Sequence, residues 1–169
     1  MTLREFLVSK KSITNVGKWS DKKMPKTGNG FPLSKAKNLR VGGGWQWVII
    51  ELDADNAECR LLVAYHAAKE NYLAVLGYVV GADTHVIASL EYHGTHPGWH
   101  VHGCCLTAKP GNAGRLRYPD MARLPEGKSV HRRTVFGVNE FDALELAIRH
   151  FRLRDAFDSM STSSTAPLF

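Results

Sequence analysis

Two runs of β-branched and aromatic residues, "WQWVIIELD" (Trp45–Asp53) and "ECRLLVAYH" (Glu58–His66), stand either side of the tetrapeptide "ADNA". Runs of this kind, split by so short a polar link, fold back as neighbouring antiparallel strands. A second pair repeats the pattern downstream: "THVIASLEYH" (Thr84–His93) and "WHVHGCCLTA" (Trp99–Ala108), joined by "GTHPG". Four strands commit the chain to a sheet, and the other segments must cover it. Between the hairpins, "AAKENYLAVLGYVV" is rich in Ala, Lys, Glu and Leu and predicts a helix that ends at Gly81. Asn139 as N-cap, followed by Phe141, Leu144, Ile148 and Phe151 at helical spacing, predicts a closing helix. Residues 109–135, rich in Pro and Gly, read as a long loop with one short helix around Met121. The order strand, strand, helix, strand, strand, loop, helix describes an α+β fold, an antiparallel sheet with helices packed on one face.

At 169 residues the chain is long enough for one domain with its own core, placed here at residues 45–158. Residues 159–169 read as a disordered tail and residues 1–44 as a basic, partly flexible arm. The net charge of +6 is concentrated in that arm, where ten lysines and arginines face only Glu5 and Asp21. A basic arm suits a phosphate backbone, whose binding is driven by counterion release. Its candidate contacts are Lys10, Lys11, Lys22, Lys23, Lys35, Lys37 and Arg40, with Arg132 and Arg133 beside His131 in the long loop. The bland alternative is a solvated leader that binds nothing in particular. No apolar run approaches the roughly 18 residues that span a bilayer, so no membrane contact is expected. Three cysteines, two of them adjacent, make a poor disulfide framework and suit a reducing cytoplasm. Single-stranded DNA or RNA is the expected partner, with room for a protein partner.

Half of the eight histidines lie in one stretch, "EYHGTHPGWHVHGCC", from Glu91 to Cys105. Side chains alternate across a strand, so His100, His102 and Cys104 share one face. On the preceding strand His85, Ile87, Ser89, Glu91 and His93 share a face, and Val86, Ala88, Leu90 and Tyr92 take the other. Setting the apolar faces on one side predicts the pairs Tyr92 with Val101 and Leu90 with Gly103. That register places Glu91 opposite His102 and His93 opposite His100. Two imidazoles at i, i+2 with a carboxylate or a third imidazole next door form a three-point ligand set for a divalent ion, Mn, Zn, Ni or Co, and Mg more weakly. The competing reading is an exposed polar hairpin face, and Cys104 leaves open a structural zinc site.

These residues resemble the HUH endonuclease superfamily of rolling-circle replication initiators, relaxases and related transposases. The resemblance covers about Val86 to Leu106: His100-Val101-His102 matches the histidine–hydrophobe–histidine motif, and Glu91 the third metal ligand, with His93 as its substitute. It implies an HUH- or RRM-like two-layer sandwich and a Mn or Mg ion, Zn being the other choice, that orients a scissile phosphate. It also implies a tyrosine that attacks to leave a 5′-phosphotyrosine link. The candidates are Tyr118 downstream, which Pro119 pushes away from helical angles, and Tyr72 upstream, whose bland role is core packing.

The expected function is therefore metal-dependent nicking of single-stranded nucleic acid by an HUH-like site. The alternatives are a non-catalytic, HUH-like accessory or anti-defence protein of a phage or mobile element, and a hairpin stabilised by zinc. Other chemistry lacks its motif: "RVGGGW" has neither the lysine nor the preceding strand of a phosphate-binding loop, and no G-x-S-x-G elbow is present.

Overall fold

The computed structural model describes residues 1–23, 41, 43–81, 83–93, 99–104, 121–124 and 139–163. The chain begins with helix α1 (Leu3–Val8) and strand β1 (Lys11–Val16). Strands β2 (Gln46–Ala54), β3 (Ala57–His66), β4 (Asn71–Val80), β5 (Asp83–His93), β6 (Trp99–Cys104) and β7 (Met121–Leu124) follow, and helices α2 (Glu140–His150) and α3 (Arg154–Ser163) end the described chain. The seven strands form one antiparallel sheet in chain order, with β1 and β7 at its edges. The fold is α+β.

Local chemistry explains the first hairpin. Asp55 and Asn56 link β2 to β3 with φ of 48° and 66°, the left-handed pair that a two-residue hairpin turn requires. The expected helix over "AAKENYLAVLGYVV" is not formed. Ala67–Lys69 make a single 3₁₀ turn, and Asn71–Val80 run as the strand between β3 and β5. Tyr72, Leu73, Ala74, Val75 and Leu76 are all buried, alternating between two apolar clusters on opposite faces of the sheet. A segment buried on both faces carries an unbroken apolar run, which periodicity does not separate from a buried helix.

Two further corrections concern the ends. Residues 3–16, expected within the arm, are α1 and the edge strand β1; residues 24–40 lie outside the described residues. Thr2 and Glu5 form a reciprocal capping box that starts α1. Helix α3 reaches Ser163, into the expected tail, and residues 121–124 pair with β6 as a strand where a short helix was expected.

Buried side chains from α1 (Leu3, Phe6) and α2 (Ala143, Ala147, Ile148), with Phe151 and Leu153 after it, share one cluster with Val48, Ile50, Leu61, Val63, Tyr72, Leu90 and Tyr92 of the sheet. The Asn139 cap forms as expected, its Oδ1 accepting from the Asp142 amide at 3.0 Å. The buried stripe differs at one position: Phe141 is 74% exposed, while Ala143 and Ala147 join Ile148 and Phe151 in the core and Leu144 packs, half-buried, against it. Small residues there let the α2 backbone come within reach of the Tyr72 hydroxyl, which donates to the Ala143 carbonyl at 3.0 Å. On the opposite face Val41, Leu62, Ala64, Leu73, Val75 and Val86 form the second cluster, flanked by Trp45, Trp47 and Ile49.

Candidate metal centre

Strand parity puts Ser89, Glu91 and His93 of β5, and His100 and His102 of β6, on the face of the second cluster. The register is two residues from the one expected: Glu91 lies opposite His100, Ser89 opposite His102, Leu90 opposite Val101 and Tyr92 opposite Trp99. A slip of two keeps every side chain on its face, so the patch survives the correction. The aromatic rings account for the choice. Trp99 packs against Tyr92 at 5.2 Å and against Tyr72 at 5.1 Å between ring centroids, contacts that Val101 in its place could not supply.

One donor atom each from Glu91, His100 and His102 lies within 4.8 Å of the others. All three residues are buried. The Nε2 of His100 is 3.3 Å from Glu91 Oε2. That separation is close to the roughly 3.4 Å between two ligands tetrahedrally placed about 2.1 Å from one ion, so this pair is spaced as two ligands of one divalent metal would be. His93 reaches the same carboxylate oxygen, with Nε2 at 3.2 Å, but stands outside the three-donor group and is partly exposed. The structure thus brings together all four expected ligands, three as a compact group and His93 as the hydrogen-bond partner of the carboxylate.

Sequence reasoning passed over Ser89. Its hydroxyl donates to Glu91 Oε1 at 2.7 Å, and the residue is fully buried. The available signal was a hydroxyl two residues before Glu91, on the same face of the strand. Burial by itself would raise the Glu91 carboxyl. The hydrogen bonds from Ser89 and His93 and the nearby His100 and His102 outweigh it and hold the group below its ordinary value, as a carboxylate. His85 and Ile87 were expected on this face too. An irregularity in the β4–β5 register after Leu76 turns them away: Ile87 enters the helix-side cluster and His85 packs on Tyr78.

Tyr72 is not at the site. It is completely buried on the opposite face, with its hydroxyl pushed far up by burial and bonded to Ala143. Tyr65 and Tyr92 share that cluster and Tyr78 packs against it, so the four described tyrosines all face away from Glu91. Tyr118 lies outside the described residues, as do Lys35, Lys37, Arg40, Arg132 and Arg133. Lys11 is also directed elsewhere: its amine donates to the Ser9 and Leu7 carbonyls and sits 4.9 Å over the Phe6 ring, tied to α1. Lys10 is exposed beside Asp55, at the far end of the edge strand. Lys22 and Lys23 are exposed, and the Lys22 carbonyl accepts from the Trp47 indole at 2.7 Å. Trp47, Ala64, Leu73, Glu91 and His100 form one cross-strand row on one face. Three strand spacings of about 4.8 Å put Trp47 roughly 14 Å from Glu91. No helix among the described residues is long and apolar enough to cross a membrane. Comparison with family models, curated proteins and solved structures finds no match to this chain.

Proposed function

We propose that the chain is a metal-dependent endonuclease of HUH-like design, acting on single-stranded nucleic acid in a reducing cytoplasm. The observation that carries this reading is the Glu91, His100 and His102 group, three buried donors on adjacent strands within 4.8 Å of one another. The clustering of α1 and α2 side chains with the sheet face opposite the ligand set supports the two-layer arrangement that the resemblance implies. Two nitrogens and one carboxylate oxygen suit Mn, Zn or Co better than Mg. When bound, such an ion supplies Lewis-acid polarisation of a phosphodiester oxygen. Glu91 would contribute the negative charge that holds the ion, and the two imidazoles would complete the protein's share of its ligands. Lys22, whose carbonyl accepts from the Trp47 indole, and the exposed Lys23 next to it would help to hold a backbone that reaches the cluster. With Tyr72 on the opposite face, Tyr118 is the remaining candidate nucleophile, and water is its competitor.

The test is incubation of single-stranded DNA and RNA, labelled at the 3′ end so that a 5′-phosphotyrosine adduct keeps the label, with wild-type protein and Mn²⁺. Cleavage that disappears in His100→Ala/His102→Ala supports the site. A covalent adduct lost in Tyr118→Phe assigns a tyrosyl intermediate, and cleavage that persists there assigns water. The placement of all four described tyrosines away from the cluster favours a second reading, a non-catalytic nucleic-acid- or protein-binding accessory of a phage or mobile element. Metal binding without cleavage of either strand type would select it.

A further inference from the structure

We propose that Ser89 is a positioning residue that restricts Glu91 to a single metal-facing oxygen and so sets the donor count of the site; this rests on the metal reading above. Ser89 is 0% exposed and lies two residues before Glu91 on the same face of β5. Its cross-strand neighbours are Val75 on β4 and His102 on β6. At 2.7 Å, its hydroxyl makes the kind of short contact typical of an O–H donating to an ionised carboxylate. The bond goes to Oε1. The other oxygen, Oε2, is the one that faces His100 at 3.3 Å and His93 at 3.2 Å.

A carboxylate free at both oxygens can swing between one-oxygen and two-oxygen ligation. With one lone pair of Oε1 bound to the Ser89 hydroxyl, the carboxylate is held with Oε2 toward the histidines, which biases the chain to present two nitrogens and one oxygen. A buried serine hydroxyl left unbonded is costly, so this bond has reason to persist when an ion is present. Partners of this kind orient ligands, and losing one typically weakens metal affinity by about 10- to 100-fold.

The experiment is calorimetric titration of Mn²⁺ into wild-type protein, Ser89→Ala and Ser89→Thr, with the visible spectrum of each after loading with Co²⁺. Alanine is smaller than serine, and cooperative melting of the metal-free variant verifies its fold. Ser89→Ala is expected to lose about 10- to 100-fold in Mn²⁺ affinity and to change the Co²⁺ band, because a freed Oε1 alters the coordination number. Ser89→Thr keeps the hydroxyl and is expected to restore both. A Ser89→Ala protein that binds Mn²⁺ as wild type does, with an unchanged Co²⁺ band, overturns the assignment and leaves the metal reading standing. Wild-type protein that binds neither ion overturns both.

Discussion

The Tyr72 hydroxyl is satisfied inside the helix-side core, donating to the Ala143 carbonyl, while Glu91 lies across the sheet. Tyr72→Phe should therefore cost about 0.5–1.5 kcal/mol in urea unfolding, the net value of one buried hydrogen bond. It should leave Mn²⁺ affinity at the wild-type value in calorimetry. A large change in affinity with little change in stability would contradict the separation of the two faces. The convergence of Glu91, His100 and His102 is legible from the chain because it depends only on alternation, and a register error of two residues leaves it intact. The role of Ser89 is not, because it depends on which oxygen of Glu91 the hydroxyl meets. Nor is the displacement of His85, which an irregularity opposite Leu76 and Gly77 turns to the other face.

Among the elements, β4 is the one whose identity its residues conceal. Ala and Leu in its sequence, with Ala, Lys and Glu just before it, favour a helix by propensity, yet burial on both faces and cross-strand partners on both sides decide for a strand. Gly77 marks that decision. A Cβ there would stand 2.7 Å from Thr84 Cγ2 and 2.8 Å from the His85 carbonyl oxygen, and the backbone oxygen cannot yield cheaply. Gly77→Ala should destabilise the protein by about 1–3 kcal/mol, read as a lower urea midpoint with an unchanged slope. The α2–α3 junction gives a pH-dependent counterpart. The Arg154 guanidinium foremost, with Arg149 beside it, more than offsets partial burial and holds Glu145 below its ordinary 4.5. A carboxyl whose folded value is depressed contributes stability above its unfolded value and loses it as pH falls through the folded value. Glu145→Gln should thus be slightly less stable than wild type at neutral pH. The difference should vanish well below the carboxylate range; one that stayed constant with pH would mean that packing, not charge, is responsible. The effect should be small because the arginines are largely solvent-exposed.

For the whole molecule, the question is whether the ligand group is coupled to the stability of the sheet that carries it. Glu91 and His100 belong to β5 and β6, strands whose other face is sealed into the helix-side core by Leu90, Tyr92, Trp99 and Val101. An ion shared between them would tie two interior strands together in the folded state only, since the unfolded chain holds no such geometry. Ligand at 100 times its Kd then adds about 2.7 kcal/mol. A chain of this size shifts by about 2–4 °C per kcal/mol, so Mn²⁺ or Zn²⁺ should raise the melting temperature by roughly 5–11 °C. The same titration of His100→Ala/His102→Ala should give no shift, and a chelator should return wild-type protein to its metal-free melting point while leaving the transition cooperative. That last feature separates the two metal roles. The described sheet already has apolar clusters on both faces, which an ion need only reinforce. If chelation instead abolished the cooperative transition, the ion would be part of the folding free energy itself, and the hairpin would be a structural zinc site rather than a reaction centre.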